Sequence, residues 1–296
     1  MSELEGTRTP IEVIERIRDE EYLLDIEGES DKVKRGARSL QKKLNNALRL
    51  LSEDLNSKQT HFVLELIQNA DDNDYGVGAV PKLTLELRPE RLVVVNNEKG
   101  FTEKNVHALC SVGESSKVKR SGYIGEKGIG FKSVFTISNA PEIHSNGYHF
   151  RFDRADEANL LGYVVPHWCE PVGDARENVT TIILPAKDGV RFSLETLDDL
   201  DATLLLFLSK LRQLAIVVAD VQITYWRTDR KGVSYLTTKC DRRTALQRGE
   251  VPSPANMCQG RINDPLRNSG SFGNFGSILL VARAPRQQRF TAVQRL

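Results

Sequence analysis

Residues 61 to 73 read HFVLELIQNADDN, and this run narrows the possible folds more than any other. At about 100° of rotation per residue, Phe62, Val63, Leu66, Ile67 and Ala70 span one arc of a helix, with Glu65, Asn69 and Asp72 in a narrow arc beside it. The apolar arc demands a second layer to cover it. The polar arc carries two carboxylates and an amide where a surface helix ordinarily carries Lys and Glu. A solvated face with an acidic C-terminal end fits this row, and so does a site for a hard cation and a polarised water.

The neighbouring segments supply the second layer. KLTLELRPERLVVVNN reads as two strands joined by a turn at Pro89 and Glu90, with Leu83, Leu85 and Leu87 alternating. Helical periodicity marks residues 10 to 24 and 37 to 55 upstream. Downstream, Thr102 opens a short helix, and Asn105 sits where a reciprocal cap favours Glu or Gln. FKSVFTIS starts another helix. Residues 147 to 153, 161 to 165, 179 to 184 and 214 to 219 read as strands, 194 to 213 as a helix, and YWRTDRKGVSYLTT as a hairpin. The composition of 241 to 275, rich in Arg, Asn, Gly, Ser and Pro, predicts disorder. These readings divide the chain into a helical lead-in (1–55), a central α/β domain (56–219) and a strand-containing, partly disordered tail (220–296).

Composition excludes several classes. Forty per cent apolar residues in 296 support a real core, and a net charge of +1 gives no reason to expect nucleic acid. Cys110, Cys169, Cys240 and Cys258 form no Cys-x-x-Cys pair, and no His-Glu-x-x-His occurs, so neither a disulfide framework nor a zinc site is expected. The longest apolar run is broken by Lys210 and Arg212, which argues against a membrane span, and a reducing intracellular compartment, nuclear or cytoplasmic, fits best.

The segment GYIGEKGIGFKS completes the chemistry. Gly122, Gly125, Gly128 and Gly130 leave the backbone open to a ligand ahead of a helix start, as in a phosphate cradle; the Gly, Lys and Ser spacing of a Walker loop is absent. Lys127 and Lys132 flank this loop, where they can meet a triphosphate or stand solvated as exposed loop lysines do. Glu65 can polarise water, and Asn69 offers an amide oxygen to a hard cation. Together the helix and the loop supply complementary halves of a site for a magnesium-bound triphosphate. Gly100, in NNEKGFT, suits close backbone approach to a flat group, with Phe101 as an apolar neighbour and Thr180 as a hydroxyl on a later strand.

The order Glu-x-x-x-Asn-x-x-Asp, Gly-Phe-Thr, Gly-x-Gly-Phe, Thr-x-Ile-x-Leu resembles that of the Bergerat-fold ATPases, the GHKL group of gyrases, heat-shock chaperones, histidine kinases and mismatch-repair proteins. Over residues 10 to 215, ELIQNADD, FTEKN, CSVGESSK and GYIGEKGIGFKSVF look most like the sacsin-like branch and, within it, the plant NO VEIN group. The resemblance implies a two-layer α/β sandwich, a mixed and mostly antiparallel sheet with helices on one face. It implies ATP and Mg²⁺ as cofactors, with Glu65 orienting the attacking water, Asn69 ligating Mg²⁺ and Asp72 beneath the nucleotide. Gly100 and Phe101 would line the adenine pocket, Gly125, Lys127, Gly128, Gly130 and Phe131 would meet the phosphates, and Thr180 would support the base. Residues 102 to 124 would form a lid.

One residue departs from the pattern. Asn96 stands where most members hold the Asp that accepts from the adenine amino group. Its amide oxygen can accept that bond, but the lost charge costs about 1 kcal/mol, and its NH₂ must find a partner or donate to guanine instead. The expected function is Mg-dependent ATP binding with slow hydrolysis coupled to lid closure; the alternative is a nucleotide-binding interaction or scaffold module without turnover. ATP and ADP are the expected ligands, alongside a protein partner or client and room for dimerisation.

Overall fold

The computed structural model describes residues 8–54, 61–111, 130–154, 161–171, 173–197, 200–230, 233–242 and 279–283. Helix α1 (Pro10–Arg16) is capped by Thr9, whose hydroxyl and Glu12 exchange reciprocal bonds across the first turn. It runs into a π-helical turn, Ile17–Glu21. Helix α2 (Asp31–Asp54) starts six residues earlier than its leucine pattern suggests, because the basic run from Lys32 continues the helix. Helix α3 (His61–Asp72) is the run that opened the sequence, and α4 (Glu103–Cys110) follows the glycine turn.

The strands are β1 (Lys82–Arg88), β2 (Arg91–Asn96), β3 (Glu142–Ser145), β4 (Tyr148–Arg151), β5 (His167–Trp168), β6 (Thr180–Pro185), β7 (Gln213–Val218), β8 (Val221–Arg230), β9 (Val233–Arg242) and β10 (Leu279–Arg283). They form one ten-stranded sheet in the order β10-β9-β8-β7-β1-β2-β6-β3-β4-β5. Among the described residues only the β1–β7 ladder is parallel; the rest are antiparallel. The fold is thus α/β with a mixed, largely antiparallel sheet, as expected, and β8 to β10 continue that sheet.

Strand alternation sorts the side chains. Leu83, Leu85, Leu87, Leu92, Val94 and Leu184 join Phe62, Val63, Leu66, Ile67 and Ala70 of α3 in the main core, while Val93, Val95 and Ile183 form a small separate cluster with Val179. Beside the small cluster, buried Glu86 pairs with Arg176 and Arg88, and Asp174 with Arg88 and Arg91.

Three expectations fail. Residues 161 to 165 are not a strand: Val164 and Val165 both donate to the Leu161 carbonyl in a turn whose apolar side chains all face the core. Residues 194 to 213 are not one helix. They form two 3₁₀ turns, Leu194–Leu197 and Ala202–Leu206, the second capped by Asp201, and then lead into β7. The segment after Gly130 is likewise a 3₁₀ helix, Gly130–Thr136, with Ser133 bonding back to the Gly130 carbonyl. The tail residues 243–278 and 284–296 lie outside the described residues, as does Cys258.

Candidate functional site

Helix α3 builds one wall. Its last turn is tied down by Asp71, which is buried, its carboxylate accepting from the backbone N–H groups of Ser209 (2.8 Å), Lys210 (2.7 Å) and Leu211 (2.7 Å). Lys210 returns the contact, its ammonium donating to the carbonyls of Asp72 (3.0 Å) and Asn73 (2.7 Å) at the negative end of the helix. Asp72, its neighbour, is half-buried. With the helix so fixed, Glu65 and Asn69, four residues apart and both half-buried, share one face.

The 3₁₀ segment Gly130–Thr136 packs against that face. A Cβ on Gly130 would collide with the Glu65 carboxylate, so a larger residue there would push that carboxylate from its place against the end of the glycine-rich run. His61 Nδ1 lies 3.9 Å from the other Glu65 oxygen. Phe131 turns its ring into the core, 6.2 Å from that of Phe152, which leaves its backbone beside Gly130. Gly125, Lys127, Gly128 and Gly122, with the rest of 112–129, lie outside the described residues; of the expected lid, 102–124, only 102–111 is described, and it forms the capped helix α4.

Lys132 is not at a phosphate. It is buried, its ammonium donating to the carbonyls of Leu109 (2.6 Å) and Tyr163 (2.8 Å) and standing 4.6 Å above the Phe152 ring. Burial pulls its pKa down to about 8.

The second wall comes from the sheet. Asn96 ends β2 directly opposite Thr180 at the start of β6, a cross-strand pair whose side chains share the helix-covered face. Both are buried. The Asn96 amide is fully oriented: Nδ2 donates to Tyr75 Oη (2.9 Å) and to the Lys82 carbonyl (3.0 Å), and Oδ1 accepts from Asn73 Nδ2 (3.3 Å). Asn97 is consumed elsewhere, accepting from Lys82 N (2.7 Å) and donating to the Val80 carbonyl (2.9 Å).

Gly100 and Phe101 join these strands through one hydroxyl. Gly100 has φ +91°, and a Cβ there would come within 2.7 Å of Asn146 Cβ. Phe101 N donates to Ser145 Oγ (2.9 Å), Ser145 Oγ lies 2.5 Å from Thr180 Oγ1, and Asn146 Nδ2 donates to the Phe101 carbonyl (2.9 Å). Ser145, Asn146, Tyr75, Asn73 and Asp71 went unnoticed in the sequence. For Asn146 a signal existed, since Asn-Gly between two short apolar runs marks a hairpin turn, and its φ is +49°. The described residues contain no group of three or more His, Cys, Asp or Glu placed to hold a metal ion. No helix among them is long and apolar enough to cross a membrane.

Two comparisons bear on this arrangement. The Sacsin domain model matches residues 82–158, which run from β1 through β4. Protein NO VEIN of Arabidopsis thaliana is 43% identical over 225 residues, 68% of this chain, and the chain spans 8% of that protein's length. On these two matches the chain is sacsin-like and a relative of NO VEIN.

Proposed function

We propose that the chain is a Mg-dependent ATP-binding domain of the Bergerat type with slow hydrolysis. The observation that carries this reading is the contact between Glu65 and Gly130: the carboxylate on α3 lies against the end of the glycine-rich run, where a Cβ on residue 130 would force that carboxylate to move. Supporting it, Asn96 and Thr180 stand as a buried polar pair on the same sheet face as the leucines and valines that pack with α3.

In this reading Glu65 holds a water by its carboxylate and takes its proton, and Asn69, on the same helix face, offers its amide oxygen to Mg²⁺. A cation held there would supply neutralisation of phosphate charge. Asp71 and Lys210 hold α3 in place, which keeps Glu65 aimed at Gly130. Asp72 would lie beneath the nucleotide, and Gly100 fixes the turn that would carry Phe101 beside the base. By the resemblance, Gly125, Lys127 and Gly128, together with the backbone at Gly130 and Phe131, would meet the phosphates.

Titration of the purified chain with Mg·ATP, with phosphate release measured alongside, tests the proposal. Glu65→Ala is expected to keep ATP affinity within about threefold and to lower turnover at least a hundredfold, as for a group acting in the chemical step. ATP binding with no turnover in the native chain would favour a nucleotide-binding interaction module. No binding of ATP with Mg²⁺ would refute both.

A further inference from the structure

Asn96 is an amide whose two ends are chemically opposite, and what surrounds it decides which end a ligand meets. One hydrogen of its NH₂ goes to the Lys82 carbonyl, which can only accept. The other goes to Tyr75 Oη, and that hydroxyl has spent its own hydrogen on the Ala70 carbonyl at 2.5 Å. Turning the amide over would set Oδ1 against one pure acceptor and one hydroxyl with no hydrogen to give. The orientation is therefore locked from two sides. Burial pushes the Tyr75 phenol up to about 12, so it stays protonated throughout the working range. On the other side Oδ1 takes one hydrogen from Asn73, and an amide oxygen has two lone pairs. The oxygen is thus the only atom of this side chain with capacity left for another partner.

We propose that Tyr75 is a positioning residue for base selection: by holding the Asn96 NH₂ inside the protein it makes Asn96 a pure acceptor, so the site takes a base that offers an amino group and rejects one that offers a carbonyl there. This rests on the reading that Asn96 faces a nucleobase. Adenine presents an N6 amino donor at the edge where guanine presents the O6 acceptor. Against a free Asn amide the two would differ little, because the amide could turn to suit either. Against the locked amide, guanine sets oxygen against oxygen. The asparagine thereby does the selecting expected of an aspartate without a charge, and the guanine tolerance that its NH₂ would otherwise confer is removed by a residue outside the base's reach.

The test compares dissociation constants for Mg·ATP and Mg·GTP, measured by calorimetry, in the native chain, Tyr75→Phe, Asn96→Ala and the double variant. The native chain is expected to prefer ATP by at least tenfold. Tyr75→Phe should narrow that preference about fivefold, the worth of one hydrogen bond, with GTP binding improved. In the Asn96→Ala background the same Tyr75→Phe change should leave the ratio unaltered, since no amide remains to turn. A Tyr75→Phe variant that weakens both nucleotides equally, or that narrows the ratio even without Asn96, would overturn the proposal by showing Tyr75 to be a plain packing residue. A native chain that binds both nucleotides equally would overturn it too. A native chain that binds neither would instead take away the nucleotide reading on which it stands.

Discussion

Asp71 and Asp72 are adjacent, and only Asp72 lies in the helix row that also holds Glu65 and Asn69. The sequence points to that row because period and spacing are local properties. Asp71 is invisible to such reasoning: its three backbone donors lie about 140 residues downstream, at Ser209, Lys210 and Leu211. Truncating it leaves three N–H groups, that of Leu211 buried, without their acceptor, so Asp71→Ala is expected to cost about 2 kcal/mol, read as a lowered urea midpoint, whereas Asp72→Ala should cost less than 1 kcal/mol. Asn96 shows the same limit. From sequence its NH₂ lacks a partner and an aspartate looks preferable; in the fold the NH₂ satisfies the Lys82 carbonyl and Tyr75. Asn96→Asp would set a carboxylate oxygen against that carbonyl. A loss of about 2 kcal/mol is expected, and an unchanged midpoint would show that the strand end relaxes around the acid.

Among the elements, those that carry their own signals were legible. Thr102 caps α4 as its sequence predicts, with Asn105 Oδ1 accepting from Thr102 N at 2.8 Å, so the shorter amide completes the box that Glu or Gln usually closes. Thr102→Ala should lower stability by about 1 kcal/mol. Segments whose shape is imposed by tertiary contacts were not legible. The leucines of 194 to 213 imitate a helix, yet Asp201 caps a single 3₁₀ turn and Asp71 bends the chain at 209 to 211. The run 161 to 165 imitates a strand because every side chain in it is apolar, although the backbone turns. Lys132 was taken from the surface into the core by two distant carbonyls, one at the end of α4 and one in the 161–164 turn. Its burial has a measurable sign. The folded-state pKa of about 8 lies below the ordinary lysine value of about 10.4, so between them the unfolded chain binds more protons and stability rises with pH. Below about pH 8 both states are charged and the cost of burial is present in full. Burial raises the Cys110 thiol to about 12, which works in the opposite sense above about pH 9. Urea midpoints at about pH 7.5 and 8.8 should therefore rise in the native chain, and Lys132→Met should remove that rise.

At the scale of the molecule, the sheet is continuous through the segment that its composition marks as a tail. β7 pairs in parallel with β1 on one side and antiparallel with β8 on the other, so β8 and β9 cover what would otherwise be an edge carrying Leu214, Ile216 and Val218. A chain ended after residue 219 is expected to self-associate, a shift visible by sedimentation, whereas a monomer of unchanged melting temperature would show that β7 needs no cover. The parallel ladder also sets an order on how the protein can be made. Lys82 finds its partner Gln213 only after about 130 further residues have been synthesised, and until then β1 and β2 leave the ribosome with the leucines and Val94 on one face, Val93 and Val95 on the other, and the β1 edge unpaired. Nearly every other ladder joins strands that follow closely or close around that centre. The central pair must therefore form late in folding, and a nascent chain stalled between the two strands is the form most in need of a chaperone.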